Sequence, residues 1–281
     1  MQPSSPRGYG GRMFDRFKQS AREKLQRAVA EAVAGELARS GQDEQDQHAE
    51  LIAALEQLNE SVRGVATRLA DTEYRARRDL SFAQDANAAQ QSAAFVLEHM
   101  PTAKVFWESP DTLRYALGEI KGPGLALEFG VATGSTLRMI ADAVAADRTV
   151  AGFDVFTGLP ETWRTGFPAG EFAQEPPEVP GAIVIAGLFE ETLPEFLAQS
   201  TEPIAFMHVD CDLYSSTKTV LNLTGARLAP DAVLVFDEFF NYPGWQQHEF
   251  LAWTEFVSSS GRSFEYLAYT GNHEQVVVRL H

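Results

Sequence analysis

Apolar residues in the second two-thirds of the chain fall into short blocks separated by longer amphipathic stretches, a pattern typical of strands alternating with helices. The apolar blocks are Leu125–Glu128, Thr149–Asp154, Gly181–Ala186, Pro203–Asp210 and Ala232–Asp237. Helical spacing follows at Ser216–Leu228 and Gln246–Ser258. This alternation predicts a parallel sheet covered by helices on both faces.

The end of the chain has the pattern of a β-hairpin. Two segments, Phe264–Tyr269 and Glu274–Leu280, flank the turn residues Gly271 and Asn272. Such a hairpin adds one antiparallel strand near the edge of the sheet. We therefore expect an α/β fold with a doubly wound, mostly parallel sheet over residues 91–281.

Residues 1–90 differ from the rest of the chain in composition, and their pattern predicts a helical extension. They are rich in alanine, glutamine, glutamate and arginine, and no proline occurs between Pro6 and Pro101. Apolar residues alternate spacings of four and three at Leu51, Leu55, Leu58, Val62, Val65 and Leu69. This is the seam of a coiled coil or of a helix docked in a groove. The seam is short and includes Gly64, so it is marginal alone. We expect it to build a homo-oligomer, and the alternative is a solitary surface helix.

A second amphipathic helix is predicted nearer the N-terminus. Its apolar stripe runs from Phe14 to Val33, and basic residues between Arg12 and Arg27 surround it. A basic amphipathic helix suits an anionic membrane surface or a protein surface, and we expect the protein surface. The polar segment Gly41–His48 predicts a break between the two helices.

Composition narrows the classes of function. The chain has 281 residues, 44% of them apolar, and a formal net charge of −16, which argues against a general nucleic-acid or anionic-membrane binder. It has no apolar run long enough to span a bilayer, and the opening Met1–Arg7 lacks an apolar signal core. The single Cys211 excludes an internal disulfide and a multi-cysteine metal site. We expect a cytoplasmic protein.

The most informative local motif follows the first apolar block. Leu125–Leu137 predicts a strand ending near Glu128, a loop with Gly130 and Gly134, and the start of a helix. Glycines let a backbone approach a ligand closely, and the first N–H groups of a helix favour polar or anionic atoms. Ala132 and Ser135 occupy the later glycine positions of the GxGxxG fingerprint, so a nucleoside-type cofactor is favoured over NAD. The alternative is an ordinary glycine turn after a buried strand.

From about Phe95 onward, the chain resembles the macrocin O-methyltransferase group (TylF/MycF/NovP-like) of class I S-adenosylmethionine-dependent methyltransferases. The matching segments, in the family's order, are Leu127–Ser135, Gly152–Glu161, His208–Ser216 and Val235–Phe239. The resemblance implies a Rossmann-like sheet of seven strands, a bound S-adenosylmethionine and a divalent cation, usually Mg²⁺. It also implies methylation of sugar hydroxyls.

Acids at the ends of two predicted strands are the candidate metal ligands. Magnesium prefers carboxylate and water oxygens, and the carboxyl ends of parallel strands meet where ligands bind. We expect Asp210, Asp237 and Glu238 to hold the ion, although the family has Asp-Asp where this chain has Asp237-Glu238. The alternative is that these acids only cap helices and solvate loops.

The predicted catalytic residues are Asp210 and Asp212. Asp210 is our first choice for the general base, because a carboxylate that touches both ion and hydroxyl can take the proton. Asp212 completes the metal shell, caps the following helix or accepts a proton. His208 lies inside the strand and is interpreted as a hydrogen-bonded core histidine.

The remaining site predictions concern the donor and the acceptor. The predicted donor-binding residues are Glu128, Gly130, Ala132, Thr133, Gly134, Ser135, Asp154, Leu188 and Phe189. Asp154 is expected to hold the ribose, and Leu188 and Phe189 to flank the adenine unless Phe189 is a core aromatic. Tyr242, Trp245 and His248 are acceptor candidates, or else pack on the next helix. The segment Phe95–Trp107 is a candidate lid.

These observations favour a magnesium-dependent O-methyltransferase that acts on a hydroxyl of a sugar or glycoconjugate. A catechol-like diol is an alternative acceptor, because it uses the same metal chemistry. A donor-binding assembly protein with weak or no catalysis is an alternative from another class. An oxidoreductase is least supported, because the second and third fingerprint glycines are missing.

Overall fold

A computed structural model describes residues 10–37 and 44–281. The chain divides into two compact units between Arg77 and Arg78. The first unit contains two long helices, α1 at Gly10–Leu37 and α2 at Glu44–Arg78. The predicted break at Gly41–His48 lies partly outside the described residues, and its described part is wrong, because α2 already begins at Glu44. None of the helices described is long and apolar enough to cross a membrane.

Helix α2 presents its predicted seam to solvent. Leu58, Val62, Val65 and Leu69 are 38–57% exposed, while no proline interrupts the helix. Apolar side chains at coiled-coil spacing are unfavourable in water, and a helix of this kind gains stability when a partner covers the seam. The exposed seam is what the expected homo-oligomer requires, and oligomerisation stays a prediction.

The second unit contains the sheet and its covering helices. In chain order their bounds are α3 Leu80–His99, β1 Lys104–Phe106, α4 Ser109–Gly118, β2 Leu125–Phe129, α5 Ser135–Val144, β3 Val150–Asp154, β4 Ala182–Ala186, α6 Phe189–Ala198, β5 Ile204–Val209, α7 Tyr214–Thr224, β6 Leu228–Phe236, α8 Glu249–Ser260, β7 Phe264–Thr270 and β8 Val276–Leu280. Every apolar block in the sequence analysis forms one of these strands.

The strands form one sheet in the order β1-β7-β8-β6-β5-β2-β3-β4. All pairs are parallel except those that involve β8, which runs antiparallel to both β6 and β7. The predicted fold class is confirmed. The sheet has eight strands where seven were expected, because Lys104–Phe106 adds a short edge strand beside β7.

The core lies on both faces of the sheet. Strands β2, β5 and β8 are buried along their whole length. On one face α5 packs Leu137, Ile140, Ala141 and Val144, whose spacing of three and four puts them on one side of a helix. On the other face, residues of α6, α7 and α8 join a second apolar cluster.

Helix α3 belongs to this second unit, which therefore begins earlier than the boundary predicted at residue 91. Asp79 caps the helix by accepting hydrogen bonds from the backbone N–H groups of Ser81 and Phe82. Ser92 is buried and accepts a hydrogen bond from the Asn241 backbone at 2.8 Å. The boundary is displaced because α3 packs as a core helix rather than as part of the extension.

Backbone hydrogen bonds align the strand ends that carry the chemistry. The Asp210 N–H donates to the carbonyl of Phe129 at 2.8 Å, and the Asp237 N–H donates to that of Val209 at 2.8 Å. Consecutive strand ends are therefore tied together immediately before the chain leaves the sheet. This brings the residues after β2, β5 and β6 to one edge.

We predict that the double substitution Val62→Glu with Leu69→Glu lowers the solution mass to that of a monomer, because it places charges in the α2 seam. Light scattering after size exclusion measures this mass. The control is Thr67→Glu, which puts a negative charge on another face of the helix and should leave the mass unchanged. A wild-type monomer, or an unchanged mass in the double variant, would contradict the prediction.

Candidate active site

A cavity of about 620 Å³ opens at the carboxyl ends of the central strands. Its first wall is formed by the predicted donor residues Gly130, Ala132, Asp154, Leu188 and Phe189. Asp210, Asp212 and Glu238 line it beside that wall. A loop after β3 supplies another wall through Leu159, Trp163, Arg164, Phe167 and Phe172. Ligand sites in open α/β sheets lie at this edge.

The glycine loop after β2 passes very close to the end of β5. Gly130 has φ +93°, and a Cβ at this position would lie 1.6 Å from the backbone oxygen of Asp210. No other residue fits there without moving the chain. The loop also holds Ala132 at φ 43°, a left-handed conformation that a non-glycine residue adopts at a cost. Strain of this kind is found at ligand-binding loops.

Asp154 fixes this loop from the end of β3. One of its carboxylate oxygens accepts hydrogen bonds from the N–H groups of Val131 and Ala132, both at 2.9 Å. The other accepts from the N–H of Phe156 at 2.8 Å. The carboxylate lines the cavity, as expected for a ribose ligand, but three backbone donors already use much of its capacity. The structure thus adds a loop-shaping role that the sequence analysis missed.

The other predicted donor-binding residues do not line the cavity. Thr133, Gly134 and Ser135 do not line the cavity, and the Thr133 and Ser135 hydroxyls bond each other at 2.9 Å. Gly134, at φ 74°, precedes helix α5 and lies against Val179. Glu128 also lies away from the cavity. It is fully buried, so it is not placed to contact a ribose as the sequence analysis expected.

Glu128 instead pairs with His208, and His208 pairs with Asp237. Nδ1 of His208 lies 2.8 Å from Oε1 of Glu128, and Nε2 lies 3.4 Å from Oδ1 of Asp237. Burial by itself lowers the pKa of His208, but the hydrogen bonds to Asp237 and Glu128 raise this pKa well above its ordinary value. Burial raises the pKa of Glu128. Burial also acts to raise the pKa of Asp237, but the hydrogen bonds from His208 and Gln275 and the charge of His208 together lower it. The interpretation of His208 as a hydrogen-bonded core residue holds, and His208 bridges the two acids Glu128 and Asp237.

A cluster of three acids, Asp210, Asp212 and Glu238, lies beside these hydrogen-bonded side chains. Their carboxylate oxygens approach within 4.8 Å of one another. Burial, then the Asp237 charge, raises the pKa of Asp210 well above its usual range. Burial also raises the pKa of Asp212 to about 7, even though Arg164 lowers it. Like charges packed in a partly dry site repel, and a cation would relieve this repulsion.

Glu238 is held in the cluster by helix α8. Its backbone N–H donates to Oε2 of Glu249 at 3.0 Å, and Glu249 is fully buried. Burial and the charge of Asp210 raise the pKa of Glu238 well above its ordinary value. Oε2 of Glu238 is buried and has no hydrogen-bond partner. A buried carboxylate oxygen without a partner is costly and marks a position where a ligand fits.

The donor set fits a hard divalent cation, and it forms two overlapping groups of possible ligands. Asp210 lies near Asp237 in one group and near Asp212 and Glu238 in another. Asp237 accepts a hydrogen bond from Gln275 at 3.1 Å, pairs with His208 and does not line the cavity. Asp212 does not cap helix α7, since Leu213 is the cap residue and no side chain caps the helix. Asp212 therefore joins Asp210 and Glu238 at the cavity, and the predicted set Asp210, Asp237 and Glu238 stays a prediction.

The predicted acceptor residues lie behind the cavity wall. Tyr242 and Trp245 are buried, and neither they nor His248 line the cavity. Tyr242 packs against Trp163 with ring centroids 5.9 Å apart, whereas Trp245 packs against Phe250 at 4.8 Å. These aromatics pack on neighbouring elements, which was the alternative interpretation. The rings of Tyr242 and His248 support the wall from outside, because both lie against Trp163.

The predicted lid is likewise not at the cavity. Phe95 packs in a cluster with Trp245 and Phe250, and Lys104–Phe106 forms the edge strand β1. The wall that the lid was expected to provide comes from the loop after β3. Sequence reasoning missed its residues Trp163 and Arg164, although an aromatic beside an arginine in a glycine-rich loop after a strand-end acid is a usable signal.

Comparison with known proteins agrees with this geometry. A methyltransferase-domain family model matches residues 127–239. Among solved structures, CalS11, the calicheamicin methyltransferase, is 26% identical, with a TM-score of 0.50, and the match covers 61% of this chain and 77% of that one. Its apo structure, described as a TDP-rhamnose 3'-O-methyltransferase, matches at 26% identity and a TM-score of 0.44 with the same coverage. The O-methyltransferase NovP matches at 20% identity and a TM-score of 0.45, over 60% of this chain and 78% of that one. No curated protein matches the chain in sequence.

We predict that His208→Leu lowers the free energy of unfolding by about 3–5 kcal/mol, because it leaves Glu128 and Asp237 without their buried cation. Adding Glu128→Gln should restore part of this loss, since one buried charge is then removed. Urea denaturation measures both variants, and the exposed His281→Gln is the control, expected within about 0.5 kcal/mol of the wild type. Equal losses in the single and double variants would show that the pairing is not the cause.

Proposed function

We propose that this class I S-adenosylmethionine-dependent O-methyltransferase methylates a hydroxyl of a sugar or glycoconjugate with the help of a divalent cation. The observation that carries this proposal is the position of the acid cluster beside the glycine loop in one cavity. Methyl transfer needs the donor's methyl carbon and the acceptor oxygen in line and in contact.

We place the methyl donor, S-adenosylmethionine, against the first wall of the cavity. Gly130 and Ala132 present the backbone of the loop, and Leu188 and Phe189 offer apolar surface for the adenine. Asp154 shapes the loop and keeps a carboxylate toward the ribose position. The positive sulfur of S-adenosylmethionine suits a cavity with several carboxylates, since opposite charges attract strongly where water is scarce.

We place the acceptor hydroxyl at the acid cluster. Asp210, Asp212 and Glu238 are the residues that would hold Mg²⁺, while His208 and Gln275 keep Asp237 in position next to Asp210. When bound, a divalent cation lowers the pKa of a hydroxyl and fixes its direction. A carboxylate oxygen of Asp210 takes the hydroxyl proton as the oxygen–methyl bond forms and the sulfur–methyl bond breaks. The products are a methyl ether and S-adenosylhomocysteine.

A catechol-like diol is the second candidate acceptor. The wall formed by Trp163, Phe167 and Phe172 supports it, because aromatic side chains stack on planar rings. The chemistry at the acid cluster would be the same. Screening sugars against catechols as methyl acceptors separates the two candidates.

We predict that S-adenosylmethionine at about 100 times its dissociation constant raises the melting temperature by about 5–10 °C, and that NAD at the same concentration does not. Calorimetry measures the shift. Gly130→Ala should abolish it, since the added Cβ would collide with Asp210, whereas Gly118→Ala, whose Cβ meets nothing within 4 Å, should keep it. A shift with NAD and none with S-adenosylmethionine would refute the assignment of the donor.

We predict that the protein binds Mn²⁺, used as a probe for Mg²⁺, and that Asp210→Asn weakens this binding at least about tenfold. Electron paramagnetic resonance titration gives the affinity, and S-adenosylhomocysteine binding should change little. Glu161→Gln is the matched control, because Glu161 lines the cavity outside the acid cluster and bonds Ser215. No saturable Mn²⁺ binding in the wild type, or equal binding in Asp210→Asn, would refute the metal site.

A further inference from the structure

Glu238 lies in a stretch of backbone that belongs to no strand or helix. Strand β6 ends at Phe236, two residues before it, and α8 begins only at Glu249. A buried peptide outside regular structure has no ladder partners, so its N–H and carbonyl need hydrogen bonds from elsewhere. Glu238 is 8% exposed and carries one of the three carboxylates of the acid cluster. The groups that hold its backbone therefore decide where this carboxylate lies.

Two buried side chains hold the backbone of Glu238. Oε2 of Glu249 accepts a hydrogen bond from the Glu238 N–H at 3.0 Å. The hydroxyl of Tyr242 donates a hydrogen bond to the Glu238 carbonyl at 3.2 Å. Glu249 is 0% exposed and Tyr242 is 2% exposed, so bulk water does not compete for either bond. Both backbone groups of Glu238 thus find their partners in side chains rather than in the sheet.

The N–H groups on either side of Glu238 are held differently, by backbone atoms. The Asp237 N–H donates to the carbonyl of Val209 at 2.8 Å, and the Phe239 N–H donates to that of Glu274 at 3.0 Å. A side chain can be replaced while these backbone bonds stay in place. The hold on Glu238 can therefore be removed without removing the bonds that tie its neighbours to the sheet.

Glu249 is an unfavourable residue for its position if it only supports the fold. Its Oε1 is buried and has no hydrogen-bond partner, and burying a carboxyl group is less favourable than burying an apolar side chain of similar size. As the first residue of α8 it gains from the helix dipole, which offsets part of this cost. Proteins keep such locally unfavourable choices mainly at functional sites. The hydrogen bond of its other oxygen, to Glu238, leads directly to the acid cluster.

We propose that Glu249 and Tyr242 are positioning residues, which hold the backbone of Glu238 so that its carboxylate stays in the acid cluster and helps to bind a divalent cation. This rests on the proposed function and adds two residues to the site. Neither of them lines the cavity, so each acts through Glu238 rather than on a ligand. Residues of this kind govern metal affinity because they fix the direction of a ligand atom.

The test measures the Mn²⁺ affinity of the full-length protein by electron paramagnetic resonance, together with S-adenosylhomocysteine binding and the melting temperature. Glu249→Met removes the acceptor oxygen from an unbranched side chain of similar length, and should weaken Mn²⁺ binding about tenfold or more. Glu249→Gln keeps an oxygen that can accept from the Glu238 N–H, so its Mn²⁺ affinity should stay within about threefold of the wild type. The affinity for S-adenosylhomocysteine should change less than about twofold in both variants.

Two further variants complete the comparison. Tyr242→Phe removes only the hydroxyl and keeps the ring that packs on Trp163, so it should weaken Mn²⁺ binding about 2- to 5-fold. It decides the question if Glu249→Met does not fold. Thr224→Val is the control for a lost buried hydrogen bond, because the Thr224 hydroxyl donates to the Val220 carbonyl at 2.7 Å at the far end of α7. It should lower the melting temperature but leave the Mn²⁺ affinity within about twofold.

Wild-type Mn²⁺ affinity in Glu249→Met and Tyr242→Phe would overturn the positioning role. Equal losses in Glu249→Met and Glu249→Gln would also overturn it, because charge and not the acceptor oxygen would then be the cause. A loss in Thr224→Val as large as in Glu249→Met would do the same, since general destabilisation would explain both. If Asp210→Asn weakens Mn²⁺ binding while the positioning variants do not, only the positioning role fails. Absence of saturable binding in the wild type would instead refute the metal site of the proposed function.

Discussion

The crowding of carboxylates at one edge of the sheet is the constraint on which the rest of the site depends. Asp210, Asp212, Asp237 and Glu238 follow two neighbouring strands, and burial raises the pKa of three of them. Asp237 differs, because His208 lies beside it as a buried cation and lowers its pKa. Groups of like charge are retained in a partly dry site at a cost in stability, and they cluster where a function needs them. Here they bring together hard oxygen atoms of the kind that a divalent cation prefers.

The backbone couples this acid cluster to the donor loop. Gly130 leaves no room for a side chain against the carbonyl of Asp210, so the loop and the end of β5 form one rigid corner. Asp154 ties the other side of the loop to β3. Any ligand against the loop therefore lies next to the acids. Such proximity is what a reaction between a sulfonium methyl group and an alcohol oxygen requires.

The strands and the glycine loop were predictable from the sequence, because their signals are local: apolar blocks, strand-end acids and glycines. The side-chain partners were not, because they join residues far apart in the chain, as Glu128 joins His208 and Asn241 joins Ser92. Tyr242, Trp245 and His248 are acceptor candidates by sequence, because aromatic and imidazole side chains near a metal motif suit a sugar, or else they pack on the next helix. The structure buries Tyr242 and Trp245, and the loop after β3 brings Trp163 and Arg164 to the cavity by folding back on itself, which no short pattern indicates.

The distance between the bound methyl donor and the bound cation tests most directly whether the two lie at one edge of the sheet. With S-adenosylmethionine carrying ¹³C in its methyl group, the enzyme-bound methyl resonance should broaden strongly when Mn²⁺ saturates the protein and stay sharp with Mg²⁺. A methyl resonance that stays sharp with Mn²⁺ bound would place donor and cation apart, and would contradict the proposal that they meet at one edge of the sheet.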